Sequence, residues 1–143
     1  MVNFLISFAI QFSPHQNRCV NLPLALLCYE DLMPGTQLVN RLQDQRYRVQ
    51  VVGNAAELPA VAAQHGAMLA LIDLVSKQTD VCDVIRQLRA TSKTSHLPII
   101  AFADEADTAL QAAGKAAGAT LVVTDGAILA HLPQLIEQAL QVE

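Results

Sequence analysis

Aromatic residues are scarce in this chain, at 4% of 143 residues, and charged residues reach only 15% against 52% hydrophobic. That much apolar mass, mostly Ala, Leu, Val and Ile, excludes a disordered chain and suits helices packed closely on a buried sheet. Positive charge is short as well: nine Lys and Arg face 13 Asp and Glu, for a net charge of −4 and a pI near 5.4. This excludes a nucleic-acid footprint built on bulk positive charge. Cysteine is limited to Cys19, Cys28 and Cys82, an odd number, widely spaced and without a CxxC pair. The pattern excludes a disulfide framework and a zinc site, and it reads as reduced thiols of a cytoplasmic protein. No apolar run is long enough for a bilayer: Met1–Phe12 has a dozen residues, where a spanning helix needs about 20. It has no basic flank and no small-residue cleavage site after it, so a secretory leader is not expected either. No membrane or nucleic-acid partner is therefore expected.

The length fits one domain with a sizeable core. Residues 1–23 stand apart as an extension, expected to be an extra strand or helix packed on the domain, a dimer contact or a loosely ordered tail. Residues 24–143 form the domain proper. From Leu24 onward short apolar runs alternate with helical patterns. Strands are predicted at Leu24–Tyr29, Arg48–Val52, Met68–Ile72, Pro98–Phe102 and Leu121–Val123, the first as a continuous apolar run buried on both faces and the third as buried too. Helices are predicted over Pro34–Gln45, Ala55–Gln64, Val81–Ala90, Thr108–Ala117 and Ile128–Leu140, with Gly66 and Gly118 as stops. Five strands alternating with five helices predict a doubly wound parallel sheet with helices on both faces. In such α/β folds ligands sit outside the C-terminal ends of the strands.

Carboxylates gather at those ends: Glu30 and Asp31 after the first strand, Asp73 after the third, Asp104 and Glu105 after the fourth, Asp125 after the fifth. Two like charges 4 Å apart repel by about 4 kcal/mol at an effective dielectric near 20. A cluster of this kind is tolerable when it holds a hard cation such as Mg²⁺, which takes oxygen ligands. Taken singly, each carboxylate is equally well explained as a helix cap or a solvated loop residue.

In this order and at this spacing the residues from Leu24 onward resemble the receiver domains of two-component response regulators, which have a flavodoxin-like sheet of strand order 2-1-3-4-5. Glu30-Asp31 is similar to the family's acidic pair, and Asp73 stands where the family has its phosphorylated aspartate. Asp80 fits an Asp-Gly motif in which Val81 replaces the glycine. Leu97-Pro98-Ile99-Ile100 resembles the opening of the fourth strand, and Ala117-Gly118-Ala119 the turn into the fifth. The resemblance implies phosphoryl transfer onto Asp73, with Mg²⁺ held by Glu30, Asp31, Asp73 and the backbone carbonyl of Val75. At most, the enzymatic activity implied is this acceptance from a histidine kinase or a small phosphodonor.

The sequence departs from the family at three positions. Ala103 stands where the family's Thr or Ser hydrogen-bonds the phosphoryl group. Asp125, followed by Gly126, stands in place of the Lys-Pro whose cation pairs with that group. Val122 takes the place of the aromatic switch. Lys77 is the one cation near Asp73 in sequence, and as a loop lysine it is better explained by solvation. This combination is that of an atypical, or pseudo-, receiver. The expected function is a protein-interaction module in signalling, with a histidine kinase or an output protein as partner and a homodimer as one form.

Two alternatives remain: a working phospho-acceptor at Asp73 with Mg²⁺, and a metal or small-molecule sensor using the acidic crevice. The contact surface implied by the family spans Thr108–Lys115, Leu121–Val123 and Ile128–Gln138. There Ala109, Ala113 and Ala116 are expected to pack on the sheet, with Ala112 on the opposite side of that helix. His65, His96 and His131 fall on separate elements and carry no ligand spacing. No serine has a nucleophile-elbow context. A flavodoxin would need a Ser/Thr/Gly-rich loop where Glu30-Asp31-Leu32-Met33-Pro34 stands, and the Asp-x-His-x-x-Gly of a cobalamin-binding relative is absent.

Overall fold

Five residues of almost purely aliphatic sequence, Leu24–Cys28, have no polar face to turn to water, so the strand they form (β1) must be covered on both sides. The computed structural model describes residues 22–29, 32–75 and 80–142. It shows β1 flanked by β2 (Arg48–Val52) and β3 (Leu69–Asp73), with β4 (Ile99–Ala103) and β5 (Leu121–Thr124) beyond, in the order β2-β1-β3-β4-β5. Every pairing is parallel. The helices are α1 (Leu32–Asp44), α2 (Leu58–His65, preceded by the 3-10 turn Ala55–Glu57), α3 (Val81–Ala90), α4 (Thr108–Ala117), α5 (Asp125–Ala130) and α6 (Leu132–Val142). Among the described residues no helix is long and apolar enough to cross a membrane.

The two-residue period of the strands divides the core into two layers. Leu24, Leu26, Ala70, Ile72, Ile99 and Ala101 face α2, α3 and α4 and meet Ala62, Ile85, Leu88 and Ala117. Ala25, Leu27, Leu69, Leu71, Ile100 and Phe102 face the other way onto Leu38 and Leu42 of α1 and onto Ile128, Leu132 and Ile136 of α5 and α6. Phe102 is fully buried and is the largest such side chain.

The predicted elements are all present, with shifts of a residue or two at most ends. The final helix is different: in place of one helix over Ile128–Leu140, α5 ends at Ala130 and α6 begins at Leu132. Pro133 explains the break, because a proline lacks an N–H and disfavours helical backbone in the residues before it. The chain resumes through a bond from the Leu135 N–H to the His131 carbonyl. The face that α4 buries also differs from expectation. Leu110, Ala113, Gly114 and Ala117 turn inward, while Ala109, Ala112 and Ala116 are exposed. Leu110 is the bulkiest apolar side chain of α4, and the i, i+3, i+4, i+7 stripe that starts from it sets the rotation.

Arg89, near the end of α3, ties together two connections at the N-terminal end of the sheet, α3–β4 and α4–β5. Its Nε donates to the Gly118 carbonyl, its Nη1 to the Ser95 and Leu97 carbonyls and its Nη2 to the Thr120 hydroxyl, each at 2.8 Å. Gly118 has φ 120°, and a Cβ there would lie 2.9 Å from Arg89 Cγ, so both its backbone angle and the close approach require glycine. Arg89→Lys should lower stability by about 2–3 kcal/mol, because an ammonium cannot reproduce a planar fork spanning four acceptors. Chemical denaturation checks this; a loss under about 0.5 kcal/mol, the range of an ordinary surface substitution, would show that the fork is dispensable.

Candidate functional site

Parallel pairing brings the C-terminal ends of all five strands to one edge, and the residues that leave that edge define the site. Asp73 is the last residue of β3 and is half-buried; it lies opposite Phe102, and the following N–H, of Leu74, donates to the Phe102 carbonyl at 2.9 Å. The Asp73 Oδ1 accepts the N–H of Val75 at 3.0 Å, an Asx turn that holds the carboxylate at the mouth as the chain turns away. A cavity of about 10 Å³ adjoins Asp73, lined by Cys28, Tyr29, Gly53, Ala55, Val75 and Val81. That is room for about one water-sized occupant, which suits an ion or a water more than an organic ligand.

Glu30, Asp31 and Lys77 lie outside the described residues. Among the described residues no group of three or more His, Cys, Asp or Glu comes together as a metal site. The register puts Cys28 opposite Ile72, so the C-terminal end of β1 lies beside the strand that ends in Asp73.

The other strand ends carry the departures. Ala103, the last residue of β4, is fully buried and offers no polar atom beyond its backbone. Asp125 is the first residue of α5 and half-buried, at a position where the helix N-terminus favours negative charge. Glu105 is close by, its Oε1 3.7 Å from where a Cβ on Gly126 would be. No Lys or Arg occupies either of the first two positions after any of the five strands. Val122 is half-buried and packs into the layer shared with α3 and α4.

Several carboxylates have local structural roles instead. Asp80 caps α3 through the Asp83 N–H, Asp107 caps α4 through the Leu110 N–H, and Asp104 accepts the Ala106 N–H at 2.8 Å within its loop. His65, His96 and His131 are exposed on separate elements.

Sequence reasoning missed Thr124. It ends β5 in register with Ala103, and its hydroxyl accepts the Ala127 N–H at 3.1 Å, capping α5. The hydroxyl nearest in register to Ala103 thus belongs to the adjacent strand and serves a helix. The signal was present, because Thr directly before an acidic residue is a helix-start pattern. Leu74 was missed too. It is buried, and a Cβ on Gly114 would lie 2.9 Å from its Cδ1, so the residue after Asp73 presses directly on α4.

No protein-family model matches the chain, and no curated protein sequence does. Solved structures match its architecture. Chemotaxis response regulator CheY4 of Vibrio cholerae superposes with a TM-score of 0.67 at 19% identity, covering 80% of this chain and 99% of that one. The receiver domain of NtrX from Brucella abortus gives 0.73 at 13% identity, with 83% and 99% covered. The signal receiver domain of a modulated diguanylate cyclase from Desulfovibrio desulfuricans gives 0.71 at 22%, with 85% and 95% covered. The fold of this chain is therefore the flavodoxin-like fold of receiver domains, with the sheet order 2-1-3-4-5.

Cys82, at the start of α3, is buried. Burial pushes its thiol above the ordinary value and the Asp80 charge adds to this, while Arg86 opposes it. A raised thiol pKa keeps the group protonated at neutral pH, so its share of stability is full below the ordinary thiol range and falls as pH rises through it. Alkylation mapped by mass should leave Cys82 unmodified in the native protein and label it in urea. Fast labelling of native Cys82 at neutral pH would contradict this.

Proposed function

We propose that residues 24–143 act as a receiver-like signalling module that binds a protein partner and accepts phosphate poorly. The single observation that carries this is the acidic strand edge: Asp73 is retained at the end of β3, while the ends of β4 and β5 carry a buried Ala103 and an acidic Asp125. A phosphoryl group on Asp73 would bring a charge near −2 toward Asp104, Glu105 and Asp125. Neither a hydroxyl at position 103 nor a cation at position 125 would meet it.

A cation is the one occupant that relieves this edge. Glu30, Asp31, Asp73 and the Val75 carbonyl would hold Mg²⁺, which when bound supplies charge neutralisation to the phosphoryl oxygens. The Asx turn at Asp73 and the water-sized cavity beside it favour a second reading, a slow phospho-acceptor working through Asp73. Both readings share a partner class, a signalling protein such as a kinase or an output protein. For contact we assign the side of α4 bearing Ala109, Ala112 and Ala116, together with β5 and the α5–α6 face. Small exposed side chains let another backbone approach closely, and the packing of Leu74 on Gly114 gives Asp73 a mechanical link to α4.

Incubation with acetyl phosphate or beryllofluoride and Mg²⁺, read by intact mass and amide shifts, tests the readings. The wild type should be modified to a small extent, and Asp73→Asn not at all. Ala103→Thr combined with Asp125→Lys should raise occupancy about ten- to a hundredfold, the equivalent of one restored charge-assisted contact. Both changes carry local costs: position 103 is fully buried, and a cation at a helix N-terminus loses about 0.3–1 kcal/mol. Melting curves of the double variant are therefore recorded alongside. Equal modification of wild type and double variant would refute the damaged site and leave the phospho-acceptor.

For the contact surface, Ala112→Arg should leave the melting temperature unchanged, because Ala112 is exposed. It should weaken partner binding or self-association, measured by light scattering and titration. Unchanged association would remove α4 from the interface.

A further inference from the structure

We propose that a groove at the N-terminal end of the sheet binds a small amphipathic carboxylate, its head on Lys93 and His96 and its aliphatic tail over Met68 and Leu140. Four large apolar side chains are exposed among the described residues, Val51, Met68, Val75 and Leu140. Two of the four, Met68 at 54% and Leu140 at 43% exposed, line this one groove together with the buried Leu97 and Pro98. They come from the residue before β3, the last turn of α6 and the connection from α3 to β4. Apolar surface gathered in one concavity is the usual mark of a ligand site, whereas single exposed side chains need no explanation. The groove encloses about 240 Å³. At about 30 Å³ for a group the size of water, it has room for about eight such groups, a short aliphatic chain with its head.

The polar groups of the groove have one sign. Lys93 and His96 line it, and among the described residues no carboxylate does. Lys93 brings a full positive charge, and an imidazole has an N–H to donate whether or not it is protonated. A carboxylate between them gains charge-assisted hydrogen bonds, which a neutral head gains only in part and a cationic head not at all. One lysine balances one negative charge, so a carboxylate suits the groove better than a phosphate dianion. The tail belongs on the side of Leu140, because the C-terminal end of a helix disfavours negative charge.

Both walls are fixed before anything binds. Thr94, between the two cationic residues, is buried; its hydroxyl donates to the Leu88 carbonyl at 2.6 Å, and its carbonyl accepts the Leu97 N–H at 3.0 Å. Arg89 Nη1 holds the Ser95 and Leu97 carbonyls from behind. Beneath the tail, the Met68 N–H donates to the Leu24 carbonyl at 2.8 Å and the Ala70 N–H to the Pro98 carbonyl at 3.0 Å. Little ordering of the protein is left for binding to bring about, which favours affinity. The groove is at the opposite rim of the sheet from Asp73, and the proposal stands independently of the phosphate reading.

Titration of the full chain with octanoate, followed by amide and methyl NMR shifts, tests it. Shifts at Met68, Lys93, His96 and Leu140 should saturate with a Kd of about 1 mM, the affinity expected for about ten non-hydrogen atoms. Octanol and octylammonium, which share the tail, should bind at least about tenfold more weakly. Lys93→Ala combined with His96→Ala should weaken octanoate about tenfold with an unchanged melting temperature, because both residues are exposed. Lys93→Arg should keep the binding. Absence of saturable shifts at these residues overturns the proposal, as does equal binding of octanol or octylammonium, or octanoate binding that survives the double variant. If the double variant melts early, Lys93→Glu alone decides: lost binding in a folded protein supports the site, and retained binding overturns it. NOEs to the Met68 methyl from residues 1–21, which lie outside the described residues, or from a second copy, together with indifference to octanoate, assign the groove to that occupant and overturn the ligand site.

Discussion

A parallel sheet covered on both faces is the constraint from which the rest of this molecule follows. Its central strands, β1, β3 and β4, cannot carry polar side chains along their length without leaving them unpaired in a dry layer. Every charged group that belongs to the sheet is therefore pushed to its rim. β4 illustrates this: Ile99, Ile100, Ala101, Phe102 and Ala103 are all buried, and Asp104 appears at the first position past them. The same pressure puts Asp73 at the end of β3 and Asp125 past the end of β5. Polar chemistry on this scaffold is a matter of which residue stands first outside each strand.

The two ends of the sheet use that freedom differently. At the N-terminal end, Arg89 satisfies three carbonyls of two connections and packs against Gly118, whose φ is 120°, so charge there serves architecture. At the C-terminal end, the described charged residues in the first two positions past the strands, Asp104, Glu105 and Asp125, are all acidic. Leu74, the residue after Asp73, packs on α4 at Gly114 and so joins this edge to that helix.

Much of this was legible in the chain. The apolar runs at Leu24–Tyr29 and Met68–Ile72 read as buried strands, and their alternation with helical segments implied parallel order. Gly66 marked a helix end because its φ of 63° is one that residues with a Cβ rarely adopt. The strand-end rule then led to Asp73 and Asp125 without coordinates, and the resemblance to receiver domains to Ala103. Pro133 was equally visible and was passed over, which cost the division of the last helix.

What the sequence by itself determined was the class of each segment and the list of residues at the sheet's rim, because burial on two faces is imposed by composition and period alone. Tertiary structure alone decided the side chains' employment. The rotation of α4 put Leu110 inward and left Ala109 and Ala116 outside, since helical alanines carry too little bulk to choose a face. The register of β4 and β5 set Thr124 beside Ala103 and committed its hydroxyl to α5. Asp80, Asp104 and Asp107 accept neighbouring backbone N–H groups in caps and turns, as Asp73 accepts that of Val75. A carboxylate's role depends on which donors lie within about 3 Å of it, and that distance is set by the packing of elements far apart in the chain.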